Sequence, residues 1–154
     1  MYPYLLFFHS LFRWLVLVSL VYAVSRGLIG WLGKRPFSKS DNTFRHITAT
    51  ISHVQLSIGY VLYFESPFIA YFRSNYSEAV KQFDLKFFGL IHISLMTAAI
   101  FVITIGSSMA KRQTTDEAKF KMMTVFFVIA LLIIFMAIPW PFSPLASRPY
   151  YRSI

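Results

Sequence analysis

Four long runs of apolar residues, separated by short polar connections, dominate the pattern of this chain. They cover residues 4–24, 47–64, 87–105 and 122–138. Each approaches the roughly 20 residues that a helix needs to cross a bilayer. Stretches such as TVFFVIALLIIFMAI are continuous, whereas membrane strands alternate apolar and polar positions over about 10 residues. Helices satisfy their own backbone in lipid and are the expected elements. The pattern predicts an all-α integral membrane protein, a four-helix bundle of up-down-up-down topology. Four spans leave no room for a separate soluble domain, so residues 1–154 are expected to form a single transmembrane domain.

The connections carry start and stop signals. Asp41 or Asn42 is the expected N-cap of the second helix, and TTDEAKF places acidic residues in the first turn of the fourth, where the helix dipole favours them. The segment SPFIAYFRSNYSEAVKQFD mixes aromatic residues with charges and is expected to lie at the interface, partly covering the bundle. Prolines in PWPFSPLASRPYYRSI stop the last helix, and Trp140, Tyr150 and Tyr151 suit the interfacial aromatic belt. The start, MYPYLLFFHSLFR, has no basic n-region or small-residue cleavage site, so it reads as a retained first span.

Composition sharpens this class. The chain is 56% hydrophobic and 14% charged, far from a soluble domain. Its net charge of +9 comes from 15 Lys and Arg against 6 Asp and Glu. That charge is spread over short loops, so it marks topology and lipid headgroup contact and not nucleic acid. Arg26, Lys34, Arg35, Lys39, Arg45, Lys111, Arg112, Lys119 and Lys121 fall on one side; Arg73, Lys81, Lys86, Arg148 and Arg152 fall on the other. The positive-inside rule then puts both termini on the outer, periplasmic side. The chain has no cysteine, which excludes thiolate-ligated metals, iron–sulfur clusters, disulfides and thioether-bound haem.

Candidate chemistry rests on four histidines in or beside the spans: His9, His46, His53 and His92. An intramembrane ionisable residue points to function by default. At a rise of about 1.5 Å per residue, His9 lies about 8 Å and His92 about 10 Å from the outer ends of spans one and three. Those spans run in the same direction and are expected to be diagonal neighbours. Two imidazoles at one depth fit the two faces of a haem iron, and bundle cores are where such cofactors are held. His53 comes deeper, about 17 Å from the outer end of its span, on a face with Ser57 and Tyr60. Arg13 is one turn below His9 and, with His53, is expected to form a second polar layer under the haem. Its candidate counter-groups are a haem propionate, a quinone carbonyl or a partner subunit. His46 reads as a headgroup contact. Met96, one turn beyond His92, is an alternative axial ligand or simply packing. No phosphate-binding glycine loop, HExxH motif or nucleophile elbow is present.

These residues carry a resemblance. His9-Ser-Leu-Phe-Arg13-Trp14, His53-Val-Gln-Leu-Ser-Ile-Gly59 with Tyr63-Phe64, His92 with Met96, and Ile138-Pro139-Trp140-Pro141-Phe142 resemble small four-span bacterial membrane proteins described as cytochrome b-like. The chain is also similar, more faintly, to one four-helix half of haem A synthase, whose likeness puts His9 and His92 at the axial-ligand positions. The acidic residue of the synthase pattern has no counterpart in these spans, and the synthase reaction is not implied. The resemblance implies a multi-pass protein of the bacterial inner membrane that binds haem b. The expected function is single-electron transfer between a quinone pool, or a partner subunit, and an acceptor on the outer side, in a complex or homo-oligomer. The alternatives are a non-enzymatic accessory subunit of a larger membrane complex, with haem structural or absent, and a lipid- or quinone-binding protein without metal.

Overall fold

The computed structural model describes residues 1–143 together with Ala146, Arg148 and Tyr150. Tyr151 and Arg152, assigned above to the aromatic belt and the outer charge count, lie outside the described residues. Four long helices, α1 (Tyr2–Leu32), α2 (Lys39–Glu65), α6 (His92–Arg112) and α7 (Asp116–Ala137), carry the fold. Between α2 and α6 run the short helices α3 (Pro67–Ser74), α4 (Tyr76–Ala79) and α5 (Phe83–Lys86), then a π-helical stretch, Phe87–Ile91. There is no strand among the described residues. The all-helical expectation is met.

Three stretches are long and apolar enough to cross a membrane: Tyr2–Leu32, Phe83–Arg112 and Asp116–Ala137. Helix α2 is not among them, because Thr48, Thr50, Ser52, His53, Gln55 and Ser57 dilute its apolar content. The apolar surface is turned outward to a degree a water-soluble protein would not tolerate. Val18 is 67% exposed, Phe101 63%, Leu132 59% and Met136 67%. These faces support a membrane location and contact with lipid.

Each long helix packs against two others: α1 against α2 and α7, and α6 against α2 and α7. The seams use small residues, which let backbones approach where lipid gives no hydrophobic drive. Ala23, Ala99 and Ala130 are fully buried. A Cβ built on Gly30 of α1 would overlap the Phe120 ring of α7, and one on Gly106 of α6 would overlap Phe126 Cβ. Those glycines are notches for aromatic side chains.

Polar groups lock the end of the bundle where α1 stops and α2 starts. The N-cap of α2 is Ser38, one turn before the residues expected from sequence, and Asp41 is its capping-box partner. Asp41 was missed as that partner because a carboxylate at N3 and one at the N-cap look alike in a single sequence. It accepts from the Ser38 hydroxyl at 2.6 Å and from Arg26 of α1 at 2.7 and 3.0 Å. Arg45, 5% exposed, donates to the carbonyl and hydroxyl of Ser107 on α6. Two cations counted above as topology signals therefore tie helices together. Where α1 ends, Lys34 and not Gly33 takes the left-handed conformation, at φ 48°.

Burial opposes the Asp41 charge, but the Ser38 hydrogen bonds and the Arg26 guanidinium outweigh it and hold the carboxyl below its ordinary range. The stability it contributes is complete above the ordinary value of 3.8 and is lost as pH falls through the lower folded value. Asp41→Ala, which removes cap and ion pair together, is expected to cost about 2–3 kcal/mol at neutral pH. Detergent-solubilised unfolding at pH 7 and pH 3 measures this, and the gap between variant and parent should shrink at the lower pH.

At the opposite end, α7 stops at Ala137 because Pro139 and Pro141 cannot continue it. Trp140 does not join an outward aromatic belt. It is 9% exposed and meets Trp14 of α1 edge-on, ring centroids 6.1 Å apart. Helix α3 turns Ile69 and Phe72 inward, and Phe72 occupies the space a side chain on Gly89 would need. Of the segment expected to cover the bundle, α3 packs in this way against the π stretch, which lies within the third predicted span.

Candidate functional site

A cavity of about 470 Å³ lies where α7 ends short of its neighbours, between α1, α2 and α6. Phe68 and Ile69 of α3 border it, as do Ile138, Pro139 and Arg148 after α7. Its size falls within the usual range of ligand pockets, about 300–1,000 Å³. Most of the wall is apolar, with Leu6, Leu56, Ile93, Met96, Ile100 and Ile134 beside aromatic Phe68 and Phe88; the polar exceptions include His9, Arg13, Gln55, His92 and Arg148. No carboxylate borders it among the described residues, so the cavity is cationic and suits an apolar ligand bearing negative charge.

His9 and His92 face each other there, ring centroids 6.5 Å apart and planes at 68°. The equal depth expected from the helical rise brings the two rings together. His92 Nδ1 lies 2.8 Å from the carbonyl oxygen of Ala137. A carbonyl only accepts, so Nδ1 carries the proton and Nε2 of the neutral ring keeps its lone pair. The acceptor is available for a reason legible in the chain. In a continuing helix the Ala137 carbonyl would bond the N–H of residue 141, which is proline. The same logic frees the Phe135 carbonyl, four residues before Pro139, and the Trp140 indole donates to it at 2.8 Å. The Pro-Trp-Pro sequence therefore both ends α7 and supplies the group that orients His92.

His9 is held differently. Gln55 donates to the His9 carbonyl at 3.0 Å, and its amide nitrogen sits 3.4 Å from Nε2. The imidazole Nδ1 of His9, the Ser10 hydroxyl and Gln55 Oε1 are buried without a hydrogen-bond partner among the described residues. Such orphans are rare in native proteins and point to a group not yet counted. Opposite His9 stands Gly59; a Cβ there would lie 3.3 Å from His9 Cε1.

Arg13 borders the cavity, and its guanidinium donates to the backbone carbonyl of Tyr150. Trp14 Nε1 reaches the same oxygen at 3.2 Å. The chain after α7 thus folds back onto α1. His53 does not join Arg13 in a second polar layer. It is exposed and lies outside the cavity, its Nε2 3.0 Å from Thr104 Oγ1 on α6. The cause is helical rotation: about 100° per residue separates the two sides of α2, and Gln55 and Gly59 take the inward side. His46 is exposed, and Met96 borders the cavity one turn beyond His92.

Three site residues escaped the sequence reading. Gln55 was visible only as part of a motif. Ser10 gave no signal beside an ionisable neighbour. Arg148, whose guanidinium lies 4.8 Å from the Phe88 ring centroid, sits beyond the last helix, where periodicity says nothing. The π stretch was equally silent, although such segments recur at functional sites. The helices and cavity together define an all-helical, membrane-type protein with a histidine pair in a cationic pocket. Comparison with protein-family models, with curated proteins and with solved structures finds no match.

Proposed function

We propose that this chain is a four-span protein of the bacterial inner membrane with both termini outside. In this reading α2 is the fourth span, and the protein holds one b-type haem between His9 and His92. It passes single electrons between a quinone pool or partner subunit and an outer-side acceptor. The observation that carries the reading is the facing pair of imidazoles at 6.5 Å. Two imidazoles bound to one metal at about 2 Å each have centroids about 6 Å apart, so the pair fits an iron between them.

The surrounding residues fit the group as well. The Nδ1–H of His92 on a backbone carbonyl is the arrangement that orients metal-ligating histidines. Arg13 and Arg148 on the cavity wall balance carboxylate side groups, and Gly59 leaves the His9 side clear. The mostly apolar wall suits a flat apolar macrocycle. Bound haem would supply one-electron redox chemistry, and the two histidines and the apolar surroundings would tune its potential. If His9 and His92 both held the haem, the arrangement would suit electron transfer and not oxygen activation.

A reduced-minus-oxidised visible spectrum of the purified chain tests this. A Soret maximum that shifts and an α-band that sharpens on reduction are expected. Protein purified from haem-replete cells without a Soret band sinks the proposal and leaves the accessory-subunit reading.

A further inference from the structure

Between α2 and α6 the cavity is separated from the outer surface of the bundle by a wall one side chain thick. A shallower hollow on that surface is lined by Tyr60, Tyr63, Ile93, Ser94 and Thr97. Tyr60, Tyr63 and Ile93 line the cavity as well, and Tyr60 is 36% exposed. Two tyrosines of α2 close the gap. The Tyr63 hydroxyl donates to the Gly89 carbonyl of the π stretch at 3.0 Å, and the Tyr60 hydroxyl lies 2.9 Å from Thr97 Oγ1. Thr97 gives its single proton to the Ile93 carbonyl one turn back, at 2.7 Å, so Tyr60 is the donor.

The other seams are built differently. Gly30 admits Phe120 between α1 and α7, Gly106 admits Phe126 between α6 and α7, and Gly59 faces His9 between α2 and α1. None of the six glycines brings α2 and α6 together. Those two helices meet through longer polar side chains, with His53 on Thr104 and Arg45 on Ser107 further along. Beside the cavity the closure depends on single hydrogen bonds, each of small net worth because another polar partner can replace the one given up. Tyr60 stands five residues before α2 ends at Glu65, about 8 Å in at the helical rise. A tyrosine ring that turns outward at that level keeps its hydroxyl near the headgroups.

We propose that this seam is a lateral gate, in which Tyr60 and Tyr63 swing aside to admit haem to the cavity from the lipid phase. The gate rests on the haem reading above. A flat, apolar ligand with carboxylate groups partitions into a bilayer, and Arg13 and Arg148 line the cavity behind the seam. The chain has no cysteine, so introduced pairs can be bridged cleanly. Haem-free protein in phosphatidylcholine vesicles is mixed with vesicles carrying haemin, and the growth of the Soret band is followed. Tyr60→Cys with Thr97→Cys, joined by a short bis-methanethiosulfonate, should take up haemin at least tenfold more slowly, and reduction of the bridge should restore the rate. The same reagent on Tyr22→Cys with Phe44→Cys, where the rings of α1 and α2 sit 4.6 Å apart and away from the cavity lining, should not slow it. Tyr60→Phe, which keeps the ring and loses the bond to Thr97, should speed uptake severalfold. An unaltered rate in the bridged Tyr60/Thr97 pair overturns the gate, as does equal slowing by both bridges. Should the Tyr60/Thr97 pair fail to load even after reduction, Tyr60→Phe decides, and the parental rate in that variant overturns the gate. A parent chain that develops no Soret band overturns the haem reading itself; a parent that loads at a rate the bridge leaves untouched overturns the gate alone.

Discussion

Replacing His92 by alanine is expected to abolish haem absorption while the chain stays in the membrane. In the proposed reading the imidazole would hold the haem iron, and its Nδ1–H also satisfies the Ala137 carbonyl. The variant would lose that hold on the haem and leave a helix-terminal carbonyl without its partner, at a further cost of about 1–3 kcal/mol in stability. His9→Ala should lose the haem equally, since in the proposed reading both imidazoles would hold it. His53→Ala should keep the spectrum unchanged, because that ring lies outside the cavity on Thr104. Pyridine haemochrome content per chain, measured beside membrane retention, separates ligand loss from failure to fold. Full haem retention in both His9→Ala and His92→Ala would move the ligands elsewhere, with Met96 the first candidate on the cavity wall.

The second large effect is expected at the seam between α6 and α7. A methyl group on Gly106 would overlap Phe126 Cβ, an atom fixed to its own backbone, so the helices themselves must separate. Gly106→Val is expected to lose about 3 kcal/mol, the upper end for overpacking. Unfolding in mixed micelles should record this as a lowered midpoint with an unchanged slope. Gly59→Ala provides the contrast. Among the described residues its Cβ meets only His9, at 3.3 and 3.7 Å, a side chain that can give by a few tenths of an ångström. Its stability should change little, while the space beside His9 narrows. Equal losses in the two variants would overturn the seam argument, since helical propensity favours both replacements over glycine.

The legible and the hidden parts of the site differ in the range of the physics that sets them. The His9–His92 pairing followed from span ends and a constant rise per residue, both of which are local. The choice between His53 and Gln55 turned on how far α2 is rotated about its axis. The polar residues on α2 face more than one way: Thr48 and Ser52 are buried, Gln55 borders the cavity, and His53 is exposed. Periodicity alone could not rank those faces. Arg45 looked like one more positive-inside residue, because charge counting does not know that Ser107 lies beside it.

From the sequence alone came the helical class, the long apolar stretches, the end of α7 at its prolines and the common depth of two histidines. Each depends on residue type and on neighbours within a few turns. The tertiary structure alone decided that α2 turns Gln55 inward, that Arg148 reaches the cavity, and that His92 finds the Ala137 carbonyl 45 residues away. Those outcomes depend on how helices rotate and where a chain end folds back, which the packing of distant side chains determines. The proline spacing that frees that carbonyl was written in the chain from the start; its use by His92 was not.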